Sequence, residues 1–391
     1  MSPPIPFNRP YLPDTSYTYV RQAVENMHLS GDGPFTRRCH ALLQQILGGP
    51  RVLLTTSCTH ALEMAALLLD ITPGDEVIVP AFTFTSTVNA FVLRGARPIF
   101  ADIRPDTLNL DESRLEPLMS DRTRAIVPVH YAGVACEMDA ILRLAGDAGV
   151  AVVEDNAHGL FGKYRGRLLG TLGSLATQSF HETKNIHCGE GGALVLNDEQ
   201  FMERAEVLRE KGTNRSRFFR GQVAKYTWVD LGSSFLPSDV LAALLLAQLE
   251  QAADIQARRA AIWQRYHVEL QEWAADNGVR LPIVPPECEQ PAHLFFLVLP
   301  TLDDRQRLLA ELKAAGINAT FHYQSLHLSE MGRRCGGDRS DCPVTEWISD
   351  RLLRLPLFPA LSAADQTRVI RAVQAFRVAS RQVPTPRREA A

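Results

Sequence analysis

Residues 179–192 read SFHETKNIHCGEGG, and they place Lys184 inside a turn that ends in a cluster of glycines. The turn follows the predicted strand 177–180, so this lysine would lie just past the carboxyl end of a strand. A nucleophilic lysine needs a fixed position, partial desolvation and a backbone that admits a second molecule. Ser179 could bind a phosphate there. A lone lysine in such a stretch is more often an ordinary surface lysine before a hairpin, so both interpretations stay open until the neighbouring motifs are considered.

Around this turn the chain predicts an α/β fold. Seven short runs rich in β-branched residues favour strands over buried helices, and helical patterns at 60–69 and 137–148 separate several of them. Such alternation predicts a mostly parallel sheet with helices on both faces. Ligands of these sheets bind beyond the carboxyl ends of the strands. The predicted strands are 51–55, 76–80, 98–102, 124–129, 150–154, 177–180 and 193–196.

The pattern changes from about residue 238, where a second and smaller region is predicted. One long helical stretch covers 239–273, and the proline-rich segment 282–291 follows it. Two strands are then predicted at 294–299 and 319–323, and two helices at 303–315 and 363–378. We therefore expect a large domain over 1–245, a smaller C-terminal α/β domain over 246–378 and a disordered tail over 379–391.

The composition is typical of a soluble globular protein. Of the 391 residues, 46% are hydrophobic and 22% charged, and the net charge of -3 argues against general nucleic-acid binding. No apolar run is long enough to cross a membrane, and the first ten residues lack the pattern of a signal peptide. Seven cysteines without a C-x-x-C pair indicate neither a metal site nor a disulfide framework. We expect a cytoplasmic protein that binds neither metal nor membrane.

Three further stretches put polar or aromatic residues where predicted strands end. Asp155 follows the strand 150–154, where its carboxylate could pair with a pyridinium nitrogen or could cap a following helix. Residues 55–60, TTSCTH, open a helix, where hydroxyl and N–H groups could bind a phosphate or serve only as an N-cap. Phe84 follows the strand 76–80, and its ring could stack on a flat cofactor or pack in the core.

Together these four stretches, in this order, resemble the DegT/DnrJ/StrS family of sugar aminotransferases, which have the fold-type I architecture of aspartate aminotransferase. The resemblance runs from residue 5 to about residue 376 and is most specific over 179–192. Within the family, the chain looks closest to the enzymes that make dTDP-4-amino-4,6-dideoxygalactose for enterobacterial common antigen. The segments that support this closer likeness are 31–38, 128–139, 209–216 and 218–223.

The resemblance implies a role for each of these residues. It implies pyridoxal 5′-phosphate as the cofactor, with Lys184 as its Schiff-base lysine, Asp155 on the pyridine nitrogen and Phe84 stacked on the ring. The residues implied to complete the cofactor site are Ser57, Cys58, Thr59 and Ser179 at the phosphate and His158 near the ring hydroxyl. The family usually has a Gly-x-Asn segment whose Asn reaches the partner subunit's phosphate, and here Ser234 stands in its place.

The candidate substrate contacts lie in a basic segment and in a turn of the C-terminal region. The segment 209–225 contains six basic residues and one acidic residue. Its Arg215 and Arg220 could bind a pyrophosphate or belong to a solvated loop. His322 lies in a segment that resembles the family's His-Tyr-x-Pro-Leu-His turn, and it could contact substrate or be structural. By resemblance, a homodimer with shared sites should take L-glutamate and a nucleotide sugar. A different nucleotide keto-sugar, or a regulatory protein without catalysis, are the alternatives.

Overall fold

In the computed structural model, residues 3–379 are described and fold into a large sheet region and a smaller C-terminal region. Of the predicted tail over 379–391, residues 380–391 lie outside the described part of the chain. Across residues 3–379, no helix is long and apolar enough to span a membrane.

The secondary-structure elements of residues 3–379 are as follows. The helices are α1 (Thr15–Glu25), α2 (Pro34–Ile46), α3 (Cys58–Leu68), α4 (Thr85–Val92), α5 (Met138–Ala148), α6 (Met202–Arg209), α7 (Arg215–Phe219), α8 (Asp239–Glu250), α9 (Ala252–Asp276), α10 (Leu302–Ala314), α11 (Glu330–Arg334), α12 (Pro343–Arg351) and α13 (Ala363–Ala375). The strands are β1 (Arg51–Thr55), β2 (Glu76–Pro80), β3 (Arg97–Ala101), β4 (Thr123–Ile126), β5 (Ala151–Asp155), β6 (Lys163–Tyr164), β7 (Arg167–Leu168), β8 (Leu175–Ser179), β9 (Gly192–Leu196), β10 (Cys288–Glu289), β11 (Phe295–Val298), β12 (Thr320–Phe321) and β13 (Leu352–Leu355).

The large sheet has seven strands in the order β1-β9-β8-β5-β4-β2-β3. Every pairing from β8 to β3 is parallel, and β9 runs antiparallel to both of its neighbours. Each of the seven predicted strands occurs, with ends that differ by at most three residues. The predicted α/β class with a seven-stranded, mostly parallel sheet is therefore confirmed.

The antiparallel strand β9 determines where the lysine turn lies. Because β8 and β9 form a hairpin, residues 180–191 project from the carboxyl end of β8 as its loop. Phe180 N–H donates to the carbonyl of Gly191, and Glu182 N–H donates to the carbonyl of Gly189, each at 2.8 Å. Gly189 adopts a φ of 88°, a left-handed conformation that glycine accepts at low cost. The loop is thereby closed around Lys184.

The predicted single helix over 239–273 was wrong, because two helices, α8 and α9, occupy this stretch and meet at Gln251. Gln251 has φ −104° and ψ 13°, outside regular helical geometry. Leu245 of α8 packs in the core beside the large sheet, whereas Tyr266 of α9 packs in the core of the C-terminal region. A straight helix could not present one face to both cores. The predicted domain boundary at 245/246 stays a prediction.

The C-terminal region is built on the antiparallel sheet β11-β13-β12, and a buried carboxylate ties it to the large sheet. Asp102, just past β3, accepts hydrogen bonds from the N–H groups of Val344 (2.9 Å) and Thr345 (2.8 Å) at the start of α12. Asp239 accepts a comparable bond from the N–H of Thr36 at the start of α2 (2.8 Å). Each carboxylate stabilises a helix N-terminus. The cap at Asp102 holds the C-terminal region against the carboxyl edge of the sheet.

Candidate active site

A cavity of about 500 Å³ lies between the carboxyl edge of the large sheet and the C-terminal region. Eight of the predicted cofactor residues line it, together with the predicted substrate residue His322. The eight are Ser57, Cys58, Thr59, Phe84, Asp155, His158, Ser179 and Lys184. The structure therefore brings together side chains that lie more than 120 positions apart in the sequence.

Lys184 lies in the hairpin loop, where its backbone N–H donates to the carbonyl of His181 at 2.9 Å. Burial lowers the pKa of Lys184 to about 8, although the nearby Cys58 and Asp155 oppose the shift. The charge of Arg354 lowers the pKa of this lysine further. At pH 7 about a tenth of the side chains would then carry the free amine, against far less than a hundredth for an unperturbed lysine. The cavity therefore increases the share of the nucleophilic form.

The pKa of Lys184 predicts a pH dependence for its reaction with small acylating reagents. Only the neutral amine reacts, so the rate for cofactor-free protein should rise with pH and level off above about pH 8. Competitive labelling with acetic anhydride, read by peptide mass spectrometry, gives the titration, with the exposed Lys313 as internal reference. A labelling rate that still rises steeply at pH 10 would contradict the lowered pKa.

Asp155 ends β5 and presents its carboxylate to the cavity. Its Oδ2 accepts a hydrogen bond from the hydroxyl of Thr87 in α4 (2.7 Å), and its Oδ1 accepts from Ala157 N–H (3.1 Å). The hydroxyl of Thr87 also lies 2.8 Å from that of Thr83, so the contact is held from both sides. Turns, not a helix, follow over 156–162. A helix-capping role for Asp155 is thereby excluded.

The side chain of Glu154 points away from the cavity, because successive residues of a strand point to opposite faces of the sheet and Asp155 points into it. It is fully buried and lies 2.9 Å from Nε2 of His130, whose Nδ1 accepts a hydrogen bond from Cys136 N–H. Because Nδ1 accepts, Nε2 is the ring nitrogen that donates to Glu154. Burial raises the pKa of Glu154, but its hydrogen bonds, first that of His130, hold it below the ordinary value. Three further donors at 2.7–2.8 Å are the N–H groups of Gly170, Leu172 and Gly173.

The N-terminus of α3 forms one wall of the cavity and could hold an anion. Ser57 is its N-cap and accepts a hydrogen bond from His60 N–H at 3.1 Å, so the predicted capping role is present. The N–H groups of Cys58 and Thr59 begin the helix and have no acceptor within it. A side chain in place of Gly192 would clash with the backbone of Ser57 and Cys58. The close approach of strand and helix therefore requires glycine.

Aromatic rings enclose the rest of the cavity. Phe84 is 58% exposed, so it is not a core residue, and its ring lies 6.4 Å from that of Tyr323. His322 stacks on Tyr323 at 3.8 Å, and its Nδ1 lies 3.1 Å from the hydroxyl of Tyr131. His158 is buried, and burial holds its pKa well below the ordinary value. Its Nδ1 is buried without a hydrogen-bond partner among residues 3–379, and a ligand could supply one.

His293 and Arg354 are among the cavity residues that were not predicted from the sequence. The ring of His293 stacks on His158 at 4.3 Å, and its Nδ1 lies 2.8 Å from Oδ1 of Asn185, the neighbour of the lysine. No pattern in the proline-rich stretch before it indicated this contact. Arg354 did carry a signal, because it is a lone charge in the apolar run LLRL of β13. Charges inside such runs are uncommon unless they are paired or functional.

Three of the predicted site residues lie outside this cavity. Arg215 pairs with Glu210 at 3.0 Å and Arg220 with Glu206 at 2.7 Å, and both arginines line a second cavity of about 460 Å³. Ser234 is exposed and lines neither cavity. Within one chain, the structure does not bring these residues to the lysine.

No group of three or more metal-ligating side chains occurs within residues 3–379.

The sequence model of the DegT/DnrJ/EryC1/StrS aminotransferase family matches residues 11–374 of this chain. The uncharacterized protein MJ1066 of Methanocaldococcus jannaschii is 33% identical over 351 residues, which cover 88% of this chain and 90% of that protein.

Two solved structures illustrate the likeness in fold. The aminotransferase TlmJ from Streptoalloteichus hindustanus has a TM-score of 0.86 and 30% identity, covering 95% of this chain and 98% of its own. The PLP-form of Spr1654, described as a putative sugar aminotransferase from Streptococcus pneumoniae, has a TM-score of 0.88 and 26% identity, with the same coverage of 95% and 98%.

Proposed function

Since the chain belongs to the DegT/DnrJ/EryC1/StrS aminotransferase family and uses pyridoxal 5′-phosphate, we propose that it transfers the amino group of L-glutamate to a nucleotide-linked keto-sugar. The specific reaction proposed is amination at C4 of dTDP-4-keto-6-deoxy-D-glucose, giving dTDP-4-amino-4,6-dideoxy-D-galactose. The observation that carries the proposal is the half-buried Lys184, which shares one cavity with Asp155 and with the N-terminus of α3.

The cavity fits the cofactor in three independent ways. The N-terminus of α3 and Ser179 offer donors for the phosphate, and Gly192 allows β9 to pass close to that end of the helix. Phe84 offers an exposed ring face for stacking. The unpartnered Nδ1 of His158 could bond a ring substituent. Among residues 3–379, Nδ1 of His158 has no hydrogen-bond partner, and more than half of Phe84 is exposed.

Asp155 and Lys184 would have separate roles in the transfer. Bound pyridoxal 5′-phosphate supplies an electron sink for the bond broken at the donor's α-carbon. Asp155, fixed by Thr87, would keep a proton on the pyridine nitrogen. Lys184, once freed by the amino donor, would carry the proton between the donor's α-carbon and C4′ of the cofactor. Its lowered pKa suits this, because an amine that titrates near neutral pH can both accept and donate a proton.

The choice of acceptor rests on likeness in loops outside the cofactor motifs. The segments 31–38 and 209–223 resemble enzymes that act on the dTDP sugar, and loops of this kind usually carry specificity. The chain departs from the family pattern at Asn156, His187, Cys188, Ser234 and Ser325. These departures favour a different nucleotide keto-sugar as the second candidate.

Transfer of label from ¹⁵N-glutamate to a panel of nucleotide keto-sugars tests the proposal. We expect ¹⁵N in the product of dTDP-4-keto-6-deoxy-D-glucose, with an axial amine at C4 in its NMR spectrum. An equatorial amine, or label only in another sugar, would overturn the specific reaction. Absence of label from every sugar in the panel would contradict the whole proposal.

We also propose that the active protein is a homodimer with shared sites. The segment 210–234 exposes large apolar side chains, with Phe219 at 69% and Trp228 at 77%, and it includes the exposed Ser234. Exposed apolar groups of this size mark interaction surfaces. Sedimentation velocity at micromolar concentration should give a dimer. A fully active monomer at that concentration would contradict shared sites.

If the basic segment of one subunit serves the partner's cavity, removing its arginines should weaken sugar binding alone. The double variant Arg215→Ala/Arg220→Ala should raise KM for the nucleotide sugar by about tenfold or more, since each guanidinium–phosphate contact is charge-assisted. KM for L-glutamate should stay unchanged. Arg217 lies on α7 with Arg215 and pairs with Glu203 of α6, so Arg217→Ala provides the matched control. If the double variant kept the wild-type KM for the nucleotide sugar, the segment would be a solvated loop.

A further inference from the structure

His293 lines the active-site cavity from the C-terminal region, where it follows a bend of the backbone at Ala292. Ala292 has a φ of 51°, in the left-handed region that residues with a side chain rarely adopt. Such a conformation persists only where the surrounding contacts hold it. The contacts of the bend, residues 291–293, therefore show what fixes His293 in the cavity wall.

Two side chains of α9 hold the bend from one side. Arg259 is only 2% exposed, and its guanidinium donates through Nε to the carbonyl of Ala292 (3.1 Å) and through Nη2 to that of His293 (2.5 Å). Burial lowers the pKa of this guanidinium to about 9. Among residues 3–379, all hydrogen bonds of this guanidinium go to the bend, although burying a charge in this way is costly. Gln256, three residues earlier, donates to the carbonyl of Pro291 at 3.0 Å.

The residue that follows Lys184 holds the bend from the other side. Asn185 is buried, and its Nδ2 donates to the carbonyl of Pro291 (2.6 Å) and to Oε1 of Gln256 (3.0 Å). Both contacts need the amide NH₂ group, so the orientation of the amide is determined and its oxygen faces His293. That oxygen can only accept, so Nδ1 of His293, at 2.8 Å, carries the proton.

The bend is thus joined to the lysine loop through one side chain. Asn185 makes three side-chain hydrogen bonds, and all of them go to α9 or to the bend. Because Asn185 directly follows Lys184, these bonds restrict the backbone from which the lysine side chain projects. Burial holds the pKa of His293 well below its ordinary value, so this histidine makes its bond without adding a positive charge beside Lys184.

We infer that Asn185 and His293 are positioning residues, which hold the lysine loop against the C-terminal region and so keep Lys184 shielded from water. The inference rests on the proposed function, because it gives a role to the environment of the lysine that the proposal uses. It adds that the reactivity of Lys184 depends on contacts from α9 and from the bend, beyond the groups that line the cavity around the amine.

Competitive labelling of the cofactor-free protein measures this effect on Lys184 without any substrate. His293→Phe keeps a flat ring beside His158 and removes the donor to Asn185, so water should reach the loop. The pKa of Lys184 should then rise from about 8 by about one unit. Asn185→Ala should give a similar rise. The charged or titratable groups around Lys184, Cys58, Asp155 and Arg354, stay in place in both variants.

Two further variants separate a positioning role from a merely structural one. His293→Asn keeps a donor near the place of Nδ1 and should restore at least half of the shift. The double variant Asn185→Ala/His293→Phe should shift the pKa of Lys184 no further than the stronger single variant, because both single changes break the same hydrogen bond. In the cofactor-loaded enzyme, each single variant should slow the glutamate half-reaction about tenfold.

The control is His267→Phe, the same substitution at a histidine that stacks on Trp263 at 5.0 Å outside the active-site cavity. It should leave the pKa of Lys184 and the half-reaction unchanged. Circular dichroism reports whether each variant folds. If His293→Phe does not fold, Gln256→Ala removes the bonds to Asn185 and Pro291 from the half-buried start of α9 and should raise the pKa in the same direction.

An unchanged pKa of Lys184 in the folded variants at Asn185 and His293, or in Gln256→Ala in their place, would overturn the inference. So would an equal shift in His267→Phe, or shifts that add fully in the double variant. A wild-type protein that forms no bond between Lys184 and the cofactor would instead contradict the proposed function, while the labelling result on the cofactor-free protein would still stand.

Discussion

Replacing Lys184 with alanine should slow amino transfer by about 10⁴-fold or more, since the variant loses both the attachment point and the proton carrier. Cofactor should still bind through the contacts at Phe84, Asp155 and the N-terminus of α3. The visible absorbance that arises from the bond to lysine should disappear. Single-turnover kinetics with L-glutamate and an absorbance spectrum of the loaded variant measure both effects.

Lys163 provides the control for this substitution. It pairs with Glu289 on the surface at 2.9 Å, and Lys163→Ala should keep the kinetics of the wild type. Substantial transfer by Lys184→Ala would assign the chemistry to a different amine. Loss of cofactor binding in that variant would mean that the phosphate and ring contacts are weaker than the geometry suggests.

The isosteric change Asp155→Asn should reduce the rate of the glutamate half-reaction by about 10³-fold. A buried carboxylate beside a basic nitrogen raises the pKa of that nitrogen by about one to three units, and the amide cannot do this. Asn can still accept a hydrogen bond from the hydroxyl of Thr87, so the fold should be retained. Single-turnover kinetics give the rate, and thermal unfolding reports on stability.

The neighbouring carboxylate gives a matched comparison, because Glu154→Gln should cost stability and not chemistry. Glu154 accepts bonds from His130 and three backbone N–H groups and does not line the cavity. Its change should lower the free energy of unfolding by about 1–3 kcal/mol. If Asp155→Asn kept the wild-type rate, the proposed pairing with the cofactor's nitrogen would be wrong.

Local sequence patterns were sufficient to predict the large sheet and the residues at its edge. Strand periodicity located β5 and β8, and the rule that ligands lie at carboxyl ends then selected Asp155 and Lys184. The two acids at the end of β5 could not be separated by pattern alone. Their roles depend on partners such as Thr87 and His130, which lie 68 and 24 positions away along the chain.

The C-terminal wall of the cavity was harder to predict for a physical reason. The turn at Gln251 breaks a continuous helical pattern, because α8 and α9 must pack in different cores. β13 is four residues long and follows α12 directly, so neither had a clear boundary. Arg354 therefore stood in a stretch without a predicted element, and its approach to Lys184 arises from tertiary packing alone.

The most direct measurement is borohydride reduction of the cofactor-loaded protein, followed by peptide mass spectrometry. The chain has five lysines, Lys163, Lys184, Lys211, Lys225 and Lys313, so the site of attachment can be read without ambiguity. We expect the reduced cofactor on Lys184 alone, and its loss from this position when L-glutamate is added before reduction. Cofactor fixed to any of the other four lysines, or retained on Lys184 after glutamate, would contradict a transferase built around this cavity.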